Sequence, residues 1–256
     1  MIAALALLAA GAAAAEQPIC ADRPAKGNGT CTVPAGKVQI EVGLADWSVT
    51  NVAGTRTGVI QLGATYFKVG VSNASDLEVG IAPFTRVTAE SGDSRDRVSG
   101  FGDIQIRYKQ RLTRDDANVQ LAAIPFLKLP TANHDLGNGK VEGGLAVPIS
   151  FTLSGPVSMT LGPEADLFDD ATGHGRHLAV ANLVNVSGPI APKVTLTGEL
   201  WAARNFDPLG SIRQASADIA FAYTPSNDLQ LDAGLNLGLT RETPEAEAYA
   251  GISTRF

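Results

Sequence analysis

Ten charged residues occupy alternate positions in segments that otherwise alternate between apolar and polar side chains. They are Asp103, Arg107, Lys109, Lys128, Glu164, Asp166, Glu199, Asp218, Asp232 and Arg255. All fall on the polar parity of their segments, so in a sheet they would share one face. If that face lines a narrow lumen, its charges must be paired or hydrated. Two interpretations stay open: a selectivity lining that sets a field across a pore, or a salt-bridged plug that fills it.

The two cysteines, Cys20 and Cys31, flank a stretch rich in Gly, Pro, Asn and Lys. In an exported chain, a pair separated by a flexible loop predicts a disulfide. Metal binding is the alternative, but two thiols without a nearby histidine make a poor site. The residues before Cys20 also lack the Leu-x-Gly/Ala-Cys box of a lipid-anchored cysteine.

The three histidines, His134, His174 and His177, lie in or beside predicted loops. A spacing of three residues on a loop does not create ligand geometry, and only Asp169 and Asp170 are close in sequence. We therefore expect solvated loops, with no metal and no cofactor.

A lipid hydrolase with a Ser-His pair on a lipid-facing surface is the rival class. The candidate pairs are His177 with Ser187 or Ser211, and His134 with Ser150. The sequence contains no Gly-x-Ser-x-Gly elbow that would support a nucleophile. None of the pairs has a separation that predicts contact, so we expect a protein that is not an enzyme.

Period-two alternation of apolar and polar residues recurs along the chain and predicts twelve strands. The segments are Lys37–Trp47, Thr57–Phe67, Asp76–Thr85, Gly100–Gln110, Val119–Leu129, Leu145–Leu153, Val157–Asp166, His177–Val186, Val194–Ala202, Ala215–Tyr223, Leu229–Leu239 and Ala246–Phe256. About ten residues of tilted strand cross a bilayer core. Pro125, Pro148 and Pro163 lack a ladder donor, so we expect bulges at these three positions.

The connections between these segments differ in length. Turns after the even-numbered segments are short and built from Ser, Asn, Gly, Pro and Asp. Connections after odd-numbered segments are longer and more polar, including Val87–Ser99 with five charges and Thr131–Gly143. Short periplasmic turns and long outer loops are typical of outer-membrane barrels. This pattern distinguishes a barrel from a soluble sandwich, whose strands also alternate.

The last segment ends on an aromatic residue, Phe256, with Tyr249 seven positions earlier. A final strand ending in Phe resembles the C-terminal signal that the barrel-assembly machinery of bacterial outer membranes reads. We therefore expect Tyr249 and Phe256 to serve as an assembly signal.

The N-terminal stretch Met1–Ala15 is rich in Ala and Leu and ends in three alanines, which predicts a signal peptide cleaved after Ala15. The remaining chain has no apolar run of the ~20 residues that a membrane helix needs. The formal net charge of -6 gives no reason to expect a nucleic-acid partner, which would need a basic face.

Two motifs carry a family resemblance: the run Gly100–Lys109, which begins Gly-Phe-Gly-Asp, and Pro125–Thr131, followed by a Gly-rich loop. Together they resemble the outer-membrane transporters associated with the meta-pathway of phenol degradation, over most of the chain after Ala15. The resemblance implies a roughly twelve-stranded barrel and a role in the uptake of aromatic or other hydrophobic compounds. It implies no catalytic residues.

The sequence thus predicts an all-β protein of the bacterial outer membrane, a single antiparallel transmembrane β-barrel of about twelve strands. Residues 1–15 would be a signal peptide, 16–36 a periplasmic segment with the disulfide, and 37–256 the barrel. The expected function is a channel for small hydrophobic or aromatic compounds. The alternatives are a lipid hydrolase and a structural or surface barrel with a plugged lumen. The expected partners are outer-membrane lipid, the barrel-assembly machinery and the solute, with the protein acting as a monomer.

Overall fold

The computed structural model describes residues 17–256. The predicted signal peptide, Met1–Ala15, lies outside the described residues. Residues 17–256 contain no helix that is long and apolar enough to span a membrane.

The described chain forms twelve long strands, five of which are interrupted once. They are Val38–Val52, Thr55–Leu62 continued by Ala64–Ser72, Ser75–Ile81 continued by Phe84–Ser91, Ser94–Gly100 continued by Ile104–Arg111, Val119–Leu129, Glu142–Ala146 continued by Ile149–Ser154, Val157–Leu161 continued by Glu164–Asp169, Arg176–Ala191, Val194–Asn205, Ile212–Ser226, Leu229–Gly238 and Ala246–Arg255.

These strands form one closed antiparallel sheet. Each strand pairs with the next in sequence, and the first pairs with the twelfth, where Val42 lies opposite Ile252. The last pairing removes the sheet edges, so backbone donors and acceptors are satisfied within the sheet, as a membrane requires. The predicted twelve-stranded barrel is confirmed.

The distribution of polarity is the reverse of that in a soluble protein. The most deeply buried side chains are mainly charged or polar, including Lys68, Glu78 and Gln39. Large apolar side chains face outward; Leu200 and Val71 are 60% and 61% exposed. A continuous exposed apolar surface of this extent in water would aggregate, whereas lipid covers it without cost.

Backbone interruptions follow the proline and glycine positions. The sixth and seventh strands are interrupted at Pro148 and Pro163, but the pairing register continues unshifted across both positions, so the bulges predicted there are wrong. The bulge predicted at Pro125 is wrong, because the fifth strand runs unbroken from Val119 to Leu129. The ladder to the fourth strand omits Pro125 and resumes in the same register at Ala123. A missing donor is therefore tolerated there without inserting a residue.

The loop predicted at Val87–Ser99 is also wrong. The third strand continues to Ser91 and the fourth starts at Ser94, so this connection is a tight turn at Gly92 and Asp93. The charged residues of the turn and of the fourth strand, Asp93, Arg95, Asp96 and Arg97, are exposed. Polar composition suggested a loop, but strands that extend beyond the membrane carry polar residues as well. Longer outer connections remain between the fifth and sixth, seventh and eighth, ninth and tenth, and eleventh and twelfth strands.

Replacing Leu200 with Arg should reduce the unfolding free energy by about 2–4 kcal/mol, because the new cation would face the middle of the bilayer. Urea unfolding in lipid vesicles measures this change. The matched control is Leu209→Arg, in the exposed outer loop after the ninth strand, which should change stability by less than about 0.5 kcal/mol. Equal effects of the two variants would contradict the assignment of a lipid-facing surface.

Candidate functional site

The segment before the first strand enters the barrel lumen. The sequence analysis placed residues 16–36 in the periplasm; the structure instead packs residues 19–34, here called the plug, against inward-facing side chains. Gln39 Nε2 donates to the carbonyl of Cys20 at 2.6 Å, and the Val33 amide donates to Asp76 Oδ2 at 2.8 Å. The plug lacks the period-two pattern of the strands, so its location could not be inferred from alternation.

The predicted disulfide between Cys20 and Cys31 is present. It closes a loop within the plug and does not tie the plug to the wall. The backbone of the plug packs closely against the second strand at Gly70, where a side chain would collide with the carbonyl of Pro34. The plug is therefore cross-linked internally and held in the barrel by non-covalent contacts.

A carboxylate at the centre of the plug, Asp22, meets three cations of the barrel wall. Its oxygens lie 2.5 Å from Lys68 Nζ, 2.9 Å from Arg107 Nη2 and 2.6 Å from Lys109 Nζ. Burial opposes ionisation of Asp22, but the charges of Lys109, Lys68 and Arg107 outweigh it and hold its pKa well below the usual range. Asp22 is therefore an anion bound by a basic wall.

Three buried wall carboxylates join this network. Glu41 Oε1 lies 2.5 Å from Lys68 Nζ, and Glu41 also accepts hydrogen bonds from the Asp22 amide at 3.2 Å. Glu78 pairs with Arg107, and Asp76 lies opposite Lys109 in the sheet. The plug adds Asp22, which contacts all three cations, so its removal would take away an anion that they share.

Opposite this wall, the plug presents cations to acidic residues. Arg23 pairs with Asp232 at 2.9 Å, and Lys26 Nζ lies 3.1 Å from Asp218. The backbone amides of Lys26 and Gly27 each donate to Glu199 at 3.1 Å. The plug therefore carries a negative charge toward strands two to four and positive charges toward strands nine to eleven.

Three inward aromatic rings lie beside these cations. Arg107 stands over Tyr66 at 4.2 Å from the ring centroid, and Lys26 over Trp201 at 5.7 Å. Arg23 lies 5.7 Å from the centroid of Tyr249. Plug cations therefore sit over two aromatic rings of the wall.

Tyr249 faces the lumen, whereas Phe256, predicted as the other part of the assembly signal, is 65% exposed at the outside. The two rings do not share a face. Their role in assembly stays a prediction.

The predicted lumen residues divide into two groups. Arg107, Lys109, Glu199, Asp218 and Asp232 contact the plug. The others lie elsewhere on the inner side of the wall. Asp103 and Lys128 pair at 3.1 Å near the outer end, and Glu164 and Asp166 lie on the seventh strand. Arg255 pairs with Asp228 at 2.8 Å beside a periplasmic turn. The alternation of apolar and polar residues thus identified inward-facing side chains but not the groups that they contact.

Sequence reasoning missed Glu41, Glu78 and Lys68. The first two occupied the polar parity of their segments and could have been found there. Lys68 was missed because the second strand is interrupted at Gly63, after which the opposite set of alternate residues points inward. After the break Lys68 and Tyr66 point inward and Phe67 outward, opposite to the expected assignment.

Cavities lie on both sides of the plug. The outer one, about 450 Å³, is bounded by plug residues and by Tyr66, Gln105 and Lys128. The inner one, about 150 Å³, is bounded by plug residues and by Thr160 and Ser187. Asp22 and Arg23 border both cavities, so the plug lies between them.

The Ser-His pairs considered for a hydrolase are not assembled where the structure allows a test. His177 and Ser187 lie ten positions apart on the eighth strand, which places them about 33 Å apart along it. The Ser150 hydroxyl bonds with Thr160 at 2.7 Å. His134 is exposed and contacts Asp135.

Residues 21–256 match a family model described as the "MetA-pathway of phenol degradation". The chain belongs to this family. The predicted family membership is therefore confirmed over nearly the whole described chain. No curated protein sequence matches the chain at a significant level.

Solved structures share the fold. An outer-membrane channel from Pseudomonas putida F1 has a TM-score of 0.69 at 15% identity, covering 91% of this chain and 100% of that one. The β domain of the Bordetella autotransporter BrkA has a TM-score of 0.57 at 13% identity, with coverages of 87% and 100%. The NanC porin has a TM-score of 0.53 at 9% identity, with coverages of 85% and 98%. At these identities the likeness establishes an outer-membrane β-barrel fold alone.

Replacing Asp22 with Asn should loosen the plug, because Lys68, Arg107 and Lys109 would lose a shared anionic partner. Tryptic cleavage after Lys26 in detergent-solubilised protein should become at least about tenfold faster, since tenfold corresponds to only ~1.4 kcal/mol. The matched control is Asp116→Asn, which breaks an exposed ion pair with Arg114 and should leave the cleavage rate unchanged. An unchanged rate in the Asp22 variant would contradict the ionic attachment of the plug.

The depressed pKa of Asp22 predicts that the plug is released only in strong acid. A lowered folded-state pKa stabilises docking above the free carboxyl value of about 4, and this contribution is lost as pH falls through the folded value. Fluorescence of Trp201, in a Trp47→Phe background, should therefore stay constant from pH 7 to about 4 and change only in stronger acid. A transition near neutral pH would show that another group controls docking.

Proposed function

We propose that the protein is an outer-membrane channel for small hydrophobic or aromatic compounds, and that its plug limits passage. The observation that carries this proposal is a closed barrel whose polar lumen contains a segment that ion pairs and hydrogen bonds, and no disulfide, attach to the wall. The family's description, which names phenol degradation, supports an aromatic solute, and the similar Pseudomonas putida F1 structure is called an outer-membrane channel.

Removal of the plug would uncover cations on one wall and carboxylates on the other. On strands two to four, Lys68, Arg107 and Lys109 would lose Asp22, the anion that they share. On strands nine to eleven, Glu199, Asp218 and Asp232 would lose the plug groups that bind them. In a ring of twelve strands these two groups lie across the lumen from each other. An open lumen would then carry a transverse field.

Aromatic solutes fit the surfaces that the plug covers. Lys26 and Arg23 leave the faces of Trp201 and Tyr249 when the plug moves. Ring faces exposed in this way stack on planar aromatic solutes, with polar groups nearby to bind a hydroxyl or carboxylate. The proposed route therefore combines apolar stacking surfaces with a charged lining.

A barrel without transport is the second candidate, and the docked plug favours it. The disulfide loop of the plug and its ion pairs with the wall occupy the central lumen. The two candidates differ in whether solutes pass when the complete chain is present. Catalysis has no support from the Ser-His geometry described above.

Liposome swelling with benzoate and arabinose distinguishes these candidates. We expect the complete chain to pass benzoate faster than arabinose, and a variant lacking residues 17–33 to pass both faster. Swelling by neither protein would overturn the channel. Swelling by the deletion variant alone would support the plugged barrel.

Replacing Trp201 with Ala should reduce the benzoate preference of the deletion variant by roughly threefold to tenfold, since one aromatic stacking contact contributes about 0.5–1.5 kcal/mol. The matched control is Phe67→Ala, which removes an outward ring and should leave the preference unchanged. An unaltered preference in the Trp201 variant would remove the stacking mechanism.

A further inference from the structure

Three ligand-type side chains meet at the outer rim, away from the plug. Asp170 follows the seventh strand, His177 is the second residue of the eighth, and Asp207 follows the ninth. Because these strands are neighbours and all three positions are at their outer ends, two loops distant in sequence are brought together. His177 and Asp170 are close in sequence, whereas Asp207 lies thirty positions after His177 and could not be linked to them from the sequence.

The donor atoms are close enough to share one ion. His177 Nδ1 lies 2.9 Å from Asp170 Oδ1 and 3.5 Å from Asp207 Oδ2, and the three donor atoms lie within 4.8 Å of one another. Ligands about 2.0–2.2 Å from a tetrahedral zinc ion are about 3.4 Å apart. The observed separations require only small adjustments to reach that geometry.

The backbone holds these side chains in place. The Asp170 amide donates to the carbonyl of Gly175 at 3.2 Å, and a side chain at Gly175 would collide with Asp170. Asp207 accepts hydrogen bonds from the amides of Ala171 at 2.8 Å and Leu209 at 2.7 Å. These two amides fix the orientation of the Asp207 carboxylate beside His177.

Two carboxylates face the same imidazole nitrogen in this cluster, and the His177 side chain is only 6% exposed. No lysine or arginine of residues 17–256 forms an ion pair with Asp170 or Asp207. One proton on Nδ1 can bridge to one carboxylate well, whereas a dication can bind the nitrogen and both carboxylates at once.

We propose that Asp170, His177 and Asp207 form a binding site for a divalent transition-metal ion, with Zn²⁺ the best match. One imidazole and two carboxylates form a ligand set that zinc accepts, and a water completes the coordination. A cavity of about 470 Å³ beside the cluster, lined also by Asn138 and Lys140, gives the ion and its water access from outside. The bound ion fastens the loop after the seventh strand to the loop after the ninth.

Zinc titration of the complete, untagged protein in detergent tests this site by calorimetry after chelator treatment and dialysis. We expect about one Zn²⁺ per chain. His177→Ala and Asp170→Asn should each lose at least about tenfold in affinity, the lower bound even for residues that only support a ligand. The matched control is His174→Ala, an exposed histidine of the same loop, which should bind zinc like the parent.

Thermal unfolding provides a second readout if one variant folds poorly. Zinc should raise the unfolding temperature of the parent and of His174→Ala but not of His177→Ala, because only a native-state ligand stabilises. Absence of zinc binding by the parent would overturn the proposal. Equal zinc binding by His177→Ala, or Ca²⁺ binding as tight as Zn²⁺ binding, would also overturn it and leave a loop held by hydrogen bonds.

Discussion

The carboxylate of Asp22 among Lys68, Arg107 and Lys109 is the interaction on which the interior depends. Three cations this close together inside a lumen repel one another, and Asp22 is in contact with all three of them. The cost of an uncompensated charge in such a site is several kcal/mol. A segment outside the barrel sequence supplies this shared anion. Wall and plug therefore form one electrostatic unit, although no covalent bond joins them inside the lumen.

This arrangement follows from the width of the barrel. Eight strands enclose an interior that side chains alone can fill, whereas twelve leave space between opposite walls. Long charged side chains occupy part of that space, and the plug crosses what remains. Its opposite charges toward the two walls orient it: Asp22 turns to the basic side while Arg23 and Lys26 turn to the acidic side. The order of charges along the plug therefore determines how it is oriented between the two walls.

Alternation predicted the barrel, its strand number and most inward charges, because lipid outside and polar groups inside impose period two on every strand. It failed where that period is interrupted, as at Gly63, and where polar strands extend beyond the membrane, as at Val87–Ser91. The plug has no periodic pattern to recognise, so Asp22 read as part of a flexible linker. The rim cluster required knowledge of strand neighbours, since Asp170 and Asp207 meet only through the register of the seventh, eighth and ninth strands.

The position of the disulfide explains how a plug can be both ordered and releasable. A bond from the plug to the wall would fix the segment permanently. The bond between Cys20 and Cys31 instead restricts the plug when it is free, which lowers the conformational entropy lost on docking. Ion pairs then select the docked orientation without needing to order a flexible chain. Docking strength is consequently set by ion pairs and hydrogen bonds with the wall, most of them buried, and not by a covalent cross-link.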